Sequence, residues 1–405
     1  MPDVSTIQKA GQIFYHPHYP ASGAGAEENI PALKSARHFL FGCDSNMAEA
    51  MGAVWGGIYK HRNRNHPLVF HWRMIGVSPR MQRAARAWCR RRKITLHLYD
   101  LTEFRARSSV TNPDLSEATT LRLVPLQQLH EPGERILYID CDTLILDSLD
   151  ALFEMPLEAY PCAAMDDPSI GLLERKLGLG LTPDVVYFNA GVLVINTAEW
   201  MKQDIAGRAQ KFLYENPKRC PYEDQDGLNA TIAGNYLPFD EHYNRFSLLE
   251  KSTRDWSSRR WALIHFAARP KPWEPGYFHP AHREFTVQYW RAARRGLRPF
   301  KACWCHCVAR GQLWIHQISE RLAAFPKMRE RIVWMRFLGS HPYVVLNTIF
   351  LLAACFFKRR DIAKKFQIAP PAYYEDRLRR IGLYPSGTLW MFLLKKLHEA
   401  NILKP

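Results

Sequence analysis

Asp140-Cys141-Asp142 closes a near-continuous apolar run, Arg135-Ile136-Leu137-Tyr138-Ile139. Two carboxylates at i and i+2 can converge where a strand gives way to a loop. In open α/β sheets, ligands sit outside the carboxyl ends of the strands. Paired hard oxygen ligands there suit Mg²⁺ or Mn²⁺, and such an ion can grip a diphosphate. Alone, the tripeptide also describes two solvated loop acids. Other stretches keep it company. Tyr187-Phe188-Asn189-Ala190-Gly191-Val192-Leu193-Val194-Ile195-Asn196 sets a polar residue and a glycine at the mouth of a second buried strand. Tyr222-Glu223-Asp224-Gln225-Asp226-Gly227-Leu228-Asn229 gathers acids and amides at a helix start. Ala262-Leu263-Ile264-His265-Phe266 ends a third strand in a histidine, with Lys271-Pro272-Trp273 just after it.

The elements that must position these groups read as alternating strands and helices. Leu40 to Asp44, Pro67 to Trp72 and Ile94 to Tyr99 have strand character, while Ala48 to Tyr59 and the basic Arg80 to Arg92 have helix character. Arg135 to Asp140 and Gly191 to Asn196 are apolar throughout, as strands covered on both faces are. An amphipathic helix is expected over Trp200 to Tyr214. This β-α-β-α rhythm predicts an α/β fold built on an open sheet. Residues 1–36, with Pro20 to Ala26 small and turn-forming, read as an extension.

The chain has 405 residues, enough for one large domain and a smaller unit. With 47% hydrophobic and 23% charged residues, disordered and collagen-like classes are excluded for the whole chain. The net charge of +16 falls entirely after residue 275, where 23 Lys and Arg face 7 Asp and Glu. A neutral body with a basic end predicts a polyanionic partner for that end. Residues 337–357 carry no charge and have basic flanks. They are barely long enough to span a bilayer, so a span, interfacial burial and an ordinary core helix all stay open. Trp390 to Leu394, followed by Lys395-Lys396, reads as a second amphipathic piece. The Arg- and Trp-rich stretch from Trp290 to Trp334 suits either an interfacial anchor or phosphate contacts with base stacking. Nine cysteines without paired spacing predict reduced thiols, and the alternate spacing of Cys303, Cys305 and Cys307 does not suit zinc. Met1-Pro2-Asp3-Val4 does not open a secretory signal peptide.

Taken in chain order, the motifs over residues 37–275 resemble glycosyltransferase family 8, which includes bacterial α-galactosyl- and α-glucosyltransferases of lipopolysaccharide and lipooligosaccharide synthesis. The resemblance implies a GT-A fold, a Rossmann-like open mixed sheet flanked by helices. It also implies a retaining, metal-dependent transfer of a hexose, galactose or glucose, from a UDP-sugar. Asp140, Asp142 and His265 match the metal ligands, and a histidine among carboxylates favours Mn²⁺ over Mg²⁺. Lys271 matches a diphosphate-binding lysine, Asp44 and Asn46 the residues that hold uracil and ribose, and Arg122 a donor-site arginine. Asn189, Asp224 and Gln225 match residues around the donor sugar. Gln225 stands at the anomeric carbon as a weak nucleophile or as a front-face dipole. Asp166 matches an acceptor-contacting acid. Cys141, inside the metal motif, is assigned no role. Three departures bear on the donor: Met47 replaces a uracil-packing tyrosine, Ala268 a glycine near the phosphate, and Ser45 a second acid.

The implied acceptor is a lipopolysaccharide core or related surface glycolipid. Residues 276–405, expected to be mainly helical, would then hold the protein peripherally on the inner face of the cell membrane, in the cytoplasm, with no nucleic-acid partner. Alternatives are a capsular or storage polysaccharide transferase of the same family, and a non-catalytic membrane- or glycan-binding protein on a retired transferase fold.

Overall fold

The computed structural model describes residues 35–102, 117–129, 133–169, 172–247, 261–267, 271–273 and 283–297, with scattered positions from 303 to 314. Residues 1–34 of the extension, Ala268, the uncharged run 337–357 and the piece from Trp390 lie outside the described residues.

The chain enters through β1 (Arg37–Asp44), α1 (Met51–His61), β2 (Leu68–Ile75), α2 (Pro79–Arg90) and β3 (Thr95–Asp100). A 3₁₀ segment, Glu117–Leu123, precedes β4 (Arg135–Ile139), β5 (Thr143–Ile145), α3 (Asp150–Phe153), β6 (Cys162–Asp166), α4 (Leu172–Leu179) and β7 (Phe188–Asn196). Then come α5 (Thr197–Lys202), α6 (Ile205–Glu215), α7 (Asp224–Ile232), β8 (Leu237–Pro238), β9 (Arg245–Phe246), β10 (Leu263–His265) and α8 (Arg283–Ala293).

Seven strands form a mixed sheet in the order β3-β2-β1-β4-β7-β6-β8. β1 runs parallel to β2 and to β4, while β7 runs antiparallel to both its neighbours, β4 and β6. The order turns back on itself at β1 and β4, and such a switch point opens a crevice at the strands' carboxyl ends. The sheet is covered on both faces. Phe39, Phe41, Phe70, Trp72, Leu137 and Ile139 pack with α1 and α2 through Val54, Trp55, Met81 and Trp88. Leu40, Ile136, Tyr138, Leu193 and Ile195 pack on the other face with Trp200, Ile205, Ala209 and Leu228. This double cover is why these strands carry apolar residues on both faces.

A second sheet, β5-β10-β9, hangs beside the first. Leu144 and Ile264 from it pack with Phe285, Tyr289, Ala292 and Ala293 of α8. Trp88 Nε1 also donates to the Arg295 carbonyl at 2.7 Å. Residues 283–297, which charge groups with the basic C-terminal region, therefore pack on the body. Among the described residues, no helix is long and apolar enough to cross a membrane.

The single helix expected over Trp200–Tyr214 is two. Asp204 takes a left-handed backbone (φ 46°), which ends α5 and restarts the chain as α6. The amphipathic spacing continues across the break, so it does not reveal it.

Candidate functional site

The site lies where β1 and β4 end. Leu40 pairs with Tyr138, so Asp44 and Asp140 stand at the same edge of the sheet. β5 starts one residue after Asp142 and pairs with β10, setting His265 opposite Thr143. That ladder is how a histidine remote in sequence reaches the two acids. His265 Nε2 lies 3.3 Å from Asp142 Oδ1 and 3.9 Å from Asp140 Oδ2. Gly191 makes the approach possible, since a Cβ there would lie 2.3 Å from His265 Cε1 and 3.0 Å from Asp140 Oδ2.

One ligand atom from each of Asp140, Asp142 and His265 falls within 4.8 Å of the others. Adjacent corners of an octahedron with bonds of about 2.1 Å are about 3 Å apart, so small side-chain shifts would close these three on one divalent ion. Charge agrees with this fit. Asp140, Asp142 and Asp224 outnumber their permanent cations, Arg122 and Lys271, so the three acids are not fully balanced while His265 is neutral. A mixed oxygen and imidazole set suits Mn²⁺.

Each ligand is held from behind. Asp140 Oδ1 accepts from Tyr138 Oη at 2.7 Å and from an Arg122 amino group at 3.0 Å. The Asp140 backbone N–H donates to the Gly191 carbonyl at 2.8 Å. Asp142 Oδ2 accepts from Lys271 Nζ at 2.7 Å, leaving Oδ1 toward His265. Burial works to raise the Asp142 carboxyl, but Lys271 and the His265 ring hold it well below the usual carboxylate range. His265 is buried, and its Nδ1 meets Asn244 Oδ1 at 2.9 Å.

Arg122 ties the acids together. Its Nε lies 2.5 Å from Asp224 Oδ2, and its guanidinium also reaches Asp140 and the Ala190 carbonyl. Burial opposes its charge, but Asp140 and Asp224 overcome that and raise its pKa. Burial pushes the Asp224 carboxyl up to about 7 despite Arg122, with Asp140 adding to the shift. Beneath this segment lies Arg73, fully buried on β2, whose guanidinium donates to the carbonyls of Leu121 and Pro125 at 3.0 Å each. Burial pulls the Arg73 pKa down to about 10.

A break in the β6–β7 register frees backbone groups for side chains. Ala164 pairs with Leu193 but Met165 pairs with Asn189, so Ala190, Gly191 and Val192 have no partner in β6. Gln225 Oε1 takes the Ala190 N–H at 3.0 Å and Asn189 Nδ2 at 2.9 Å. Gln225 Nε2 donates to Asp167 Oδ2 at 2.9 Å. Asn229, one turn on, clamps α7 to β7 by accepting from the Phe188 N–H and donating to its carbonyl, both at 2.9 Å. Glu223 turns the chain into α7 at φ 48°, a costly value for a residue with a side chain.

Asp140, Asp142, His265, Lys271, Arg122, Asp224, Asn189 and Gln225 thus form one bonded cluster. Asp166 stands beside it at the exposed end of β6 and accepts from Tyr236 Oη at 2.5 Å. Asp44 ends β1, where its Oδ1 takes the backbone N–H groups of Asn46 and Met47 at 2.8 and 3.0 Å. The Asn46 side chain is exposed, and Met47 packs against the core. Cys141 is buried and its thiol is pushed well up by burial, leaving it inert. Arg73, Asp167 and Asn244 are supporting residues that motif spacing did not single out, and Asn229, inside the Tyr222–Asn229 stretch, carries a supporting role that spacing did not assign.

A sheet switch point carrying this cluster is where open α/β proteins bind their ligands. The chain belongs to glycosyl transferase family 8, whose model matches residues 38–275, and is a glycosyltransferase. It is 27% identical over 251 residues to the lipopolysaccharide glucosyltransferase WaaO of Escherichia coli, covering 60% of this chain and 71% of that protein. It is 25% identical over 294 residues to the lipopolysaccharide 1,3-galactosyltransferase of Salmonella typhimurium, covering 70% and 81%. Among solved structures, galactosyltransferase LgtC with donor and acceptor sugar analogues superposes with a TM-score of 0.54 at 23% identity, over 63% of this chain and 95% of that one. That likeness establishes the GT-A fold.

Proposed function

We propose that this glycosyltransferase moves a hexose, galactose or glucose, from a UDP-sugar to a glycan acceptor with retention at the anomeric carbon. The observation that carries the reading is the convergence of Asp140, Asp142 and His265 at the sheet's switch point, with Lys271 on Asp142. Those three residues would hold Mn²⁺, with Mg²⁺ as the alternative. A bound divalent ion supplies Lewis-acid neutralisation of the diphosphate as UDP departs.

The chain's own groups divide the remaining work. Lys271 offers a point charge for the diphosphate and can turn to it from Asp142. Asp44 and Asn46 hold the uracil and ribose at the end of β1. Arg122 keeps Asp140 and Asp224 in place, and Asn189 and Asp224 line the donor sugar. Both lone pairs of Gln225 Oε1 are already engaged by Asn189 and Ala190, which favours a fixed dipole at the anomeric carbon over a nucleophile. Asp166, at the exposed edge, contacts the acceptor.

The names of the relatives support a lipopolysaccharide core or related surface glycolipid as acceptor. The excess of 23 basic over 7 acidic residues after 275 supports peripheral attachment of residues 276–405 to the inner face of the cell membrane. Each such charge adds about 1 kcal/mol near an anionic leaflet.

The test is release of UDP from a panel of UDP-sugars, with and without Mn²⁺. Hydrolysis by water needs no acceptor. Turnover of one hexose donor, dependent on the ion, is expected, whereas no release from any UDP-sugar refutes the reading.

A further inference from the structure

The side chains between His265 and Asp167 form an unbroken one-way relay. His265 Nδ1 meets Asn244 Oδ1 at 2.9 Å, and Asn244 Nδ2 donates to Asn189 Oδ1 at 2.9 Å. Asn189 Nδ2 then donates to Gln225 Oε1, and Gln225 Nε2 to Asp167 Oδ2, each at 2.9 Å. The direction is not arbitrary. Backbone N–H groups can only donate, and they fix two of the amides. Gly191 N–H points at Asn189 Oδ1 at 3.0 Å, and Ala190 N–H at Gln225 Oε1. A carboxylate only accepts, so Asp167 fixes the far end as well. Asp167 is itself anchored, with Oδ1 taking the Ser169 N–H and its own N–H on the Tyr187 carbonyl, at 2.8 and 2.9 Å.

With every amide oriented, Asn244 must present its oxygen to His265. Nδ1 therefore keeps its proton, and Nε2, beside Asp140 and Asp142, is the nitrogen left to ligate an ion. This is the tautomer a metal-ligating histidine needs. Asn244 and Asp167 are both buried, so an unmatched amide or imidazole N–H there would go without water.

We propose that Asn244 and Asp167 are positioning residues whose amide relay fixes the His265 tautomer and the Gln225 amide together. This rests on the reading of Asp140, Asp142 and His265 as metal ligands and of Gln225 as a group at the donor sugar. The near end serves the ion, the far end serves the sugar, and Asn189 joins them.

The experiment titrates Mn²⁺ alone, read by the electron paramagnetic resonance of the free ion, and separately measures kcat and KM for UDP release. It uses wild type, Asn244→Leu, Asn244→Asp, Asp167→Leu and Asp167→Asn. Asn244→Leu removes the acceptor for Nδ1–H, and Mn²⁺ affinity should fall 10- to 100-fold, as expected on losing such a partner. Asn244→Asp keeps that acceptor but not the donor to Asn189. Its Mn²⁺ affinity should stay within a few-fold of wild type while kcat falls. Asp167→Leu should lower kcat with little change in Mn²⁺ affinity, and Asp167→Asn, whose amide oxygen still accepts, should restore most of it.

Wild-type Mn²⁺ affinity in Asn244→Leu, or equal loss in Asn244→Asp and Asn244→Leu, overturns the relay and leaves the ligand reading intact. A wild type that binds no Mn²⁺ overturns both. Should Asn244→Leu not fold, the split between affinity and kcat in Asn244→Asp decides, and its absence counts against the relay.

Discussion

His265 sits directly opposite Thr143 in the antiparallel ladder of β10 and β5. Thr143 follows Asp142 in the chain, and its Oγ1 donates to the Asp140 carbonyl at 3.0 Å. The β5–β10 ladder therefore sets His265 against the Asp142 end of the candidate metal site. Thr143→Val keeps the shape and removes that bond. A net hydrogen bond contributes about 1 kcal/mol. Mn²⁺ affinity should fall by less than about tenfold, with folding retained, as calorimetric titration and thermal melting would read.

Gly191 is where the fold leaves room for the histidine. Gly191→Ala would set a methyl group 2.3 Å from His265 Cε1. Overpacking of a tight site costs about 1–3 kcal/mol. The variant should remain folded with a lowered melting temperature and lose Mn²⁺-dependent UDP release. Activity at wild-type level would mean that His265 is not fixed where the site requires it.

Arg73 supports the segment that presents Arg122, through the carbonyls of Leu121 and Pro125. Arg73→Met should fill the space but leave both carbonyls without their donor. At about 1–3 kcal/mol for each unsatisfied group, offset by relief of a buried charge, the net loss should be about 2 kcal/mol. Denaturant unfolding would measure it. Activity should drop as well, because Arg122 loses its footing beside Asp140 and Asp224.

Asn229 locks Gln225 to β7 from one turn away. Asn229→Leu breaks both bonds to Phe188. The turn of α7 that carries Gln225 would then be tied to β7 chiefly through the Gln225 side chain itself. A drop in kcat of tenfold or more, with Mn²⁺ affinity preserved, is the expected pattern in steady-state kinetics. Equal losses in both would place the effect on the fold as a whole.

The legible parts of the sequence were those with local signals. The apolar run into Asp140 and Asp142 announced a buried strand with acids at its end, and the run from Ala262 announced a strand stopping at His265. The supporting residues had no such signal. Asn244 lies between elements of two and three residues, too short to show a period. Arg73 lies in a strand whose eight residues are all buried, and only the 3₁₀ segment beyond β3 explains why a charge belongs there. The register break around Ala190 depends on β6, and Asp204 takes a left-handed turn that its residue type does not demand. In each case the meaning of the residue is set by a neighbour remote in sequence.

The most direct test of the account is the binding of UDP with and without Mn²⁺ to wild type and to Asp142→Asn, by calorimetry. Mn²⁺ should tighten UDP binding to wild type by at least tenfold and do nothing for Asp142→Asn. UDP binding that ignores Mn²⁺ in the wild type, or that responds to it equally without the Asp142 carboxylate, would contradict the assignment of this site.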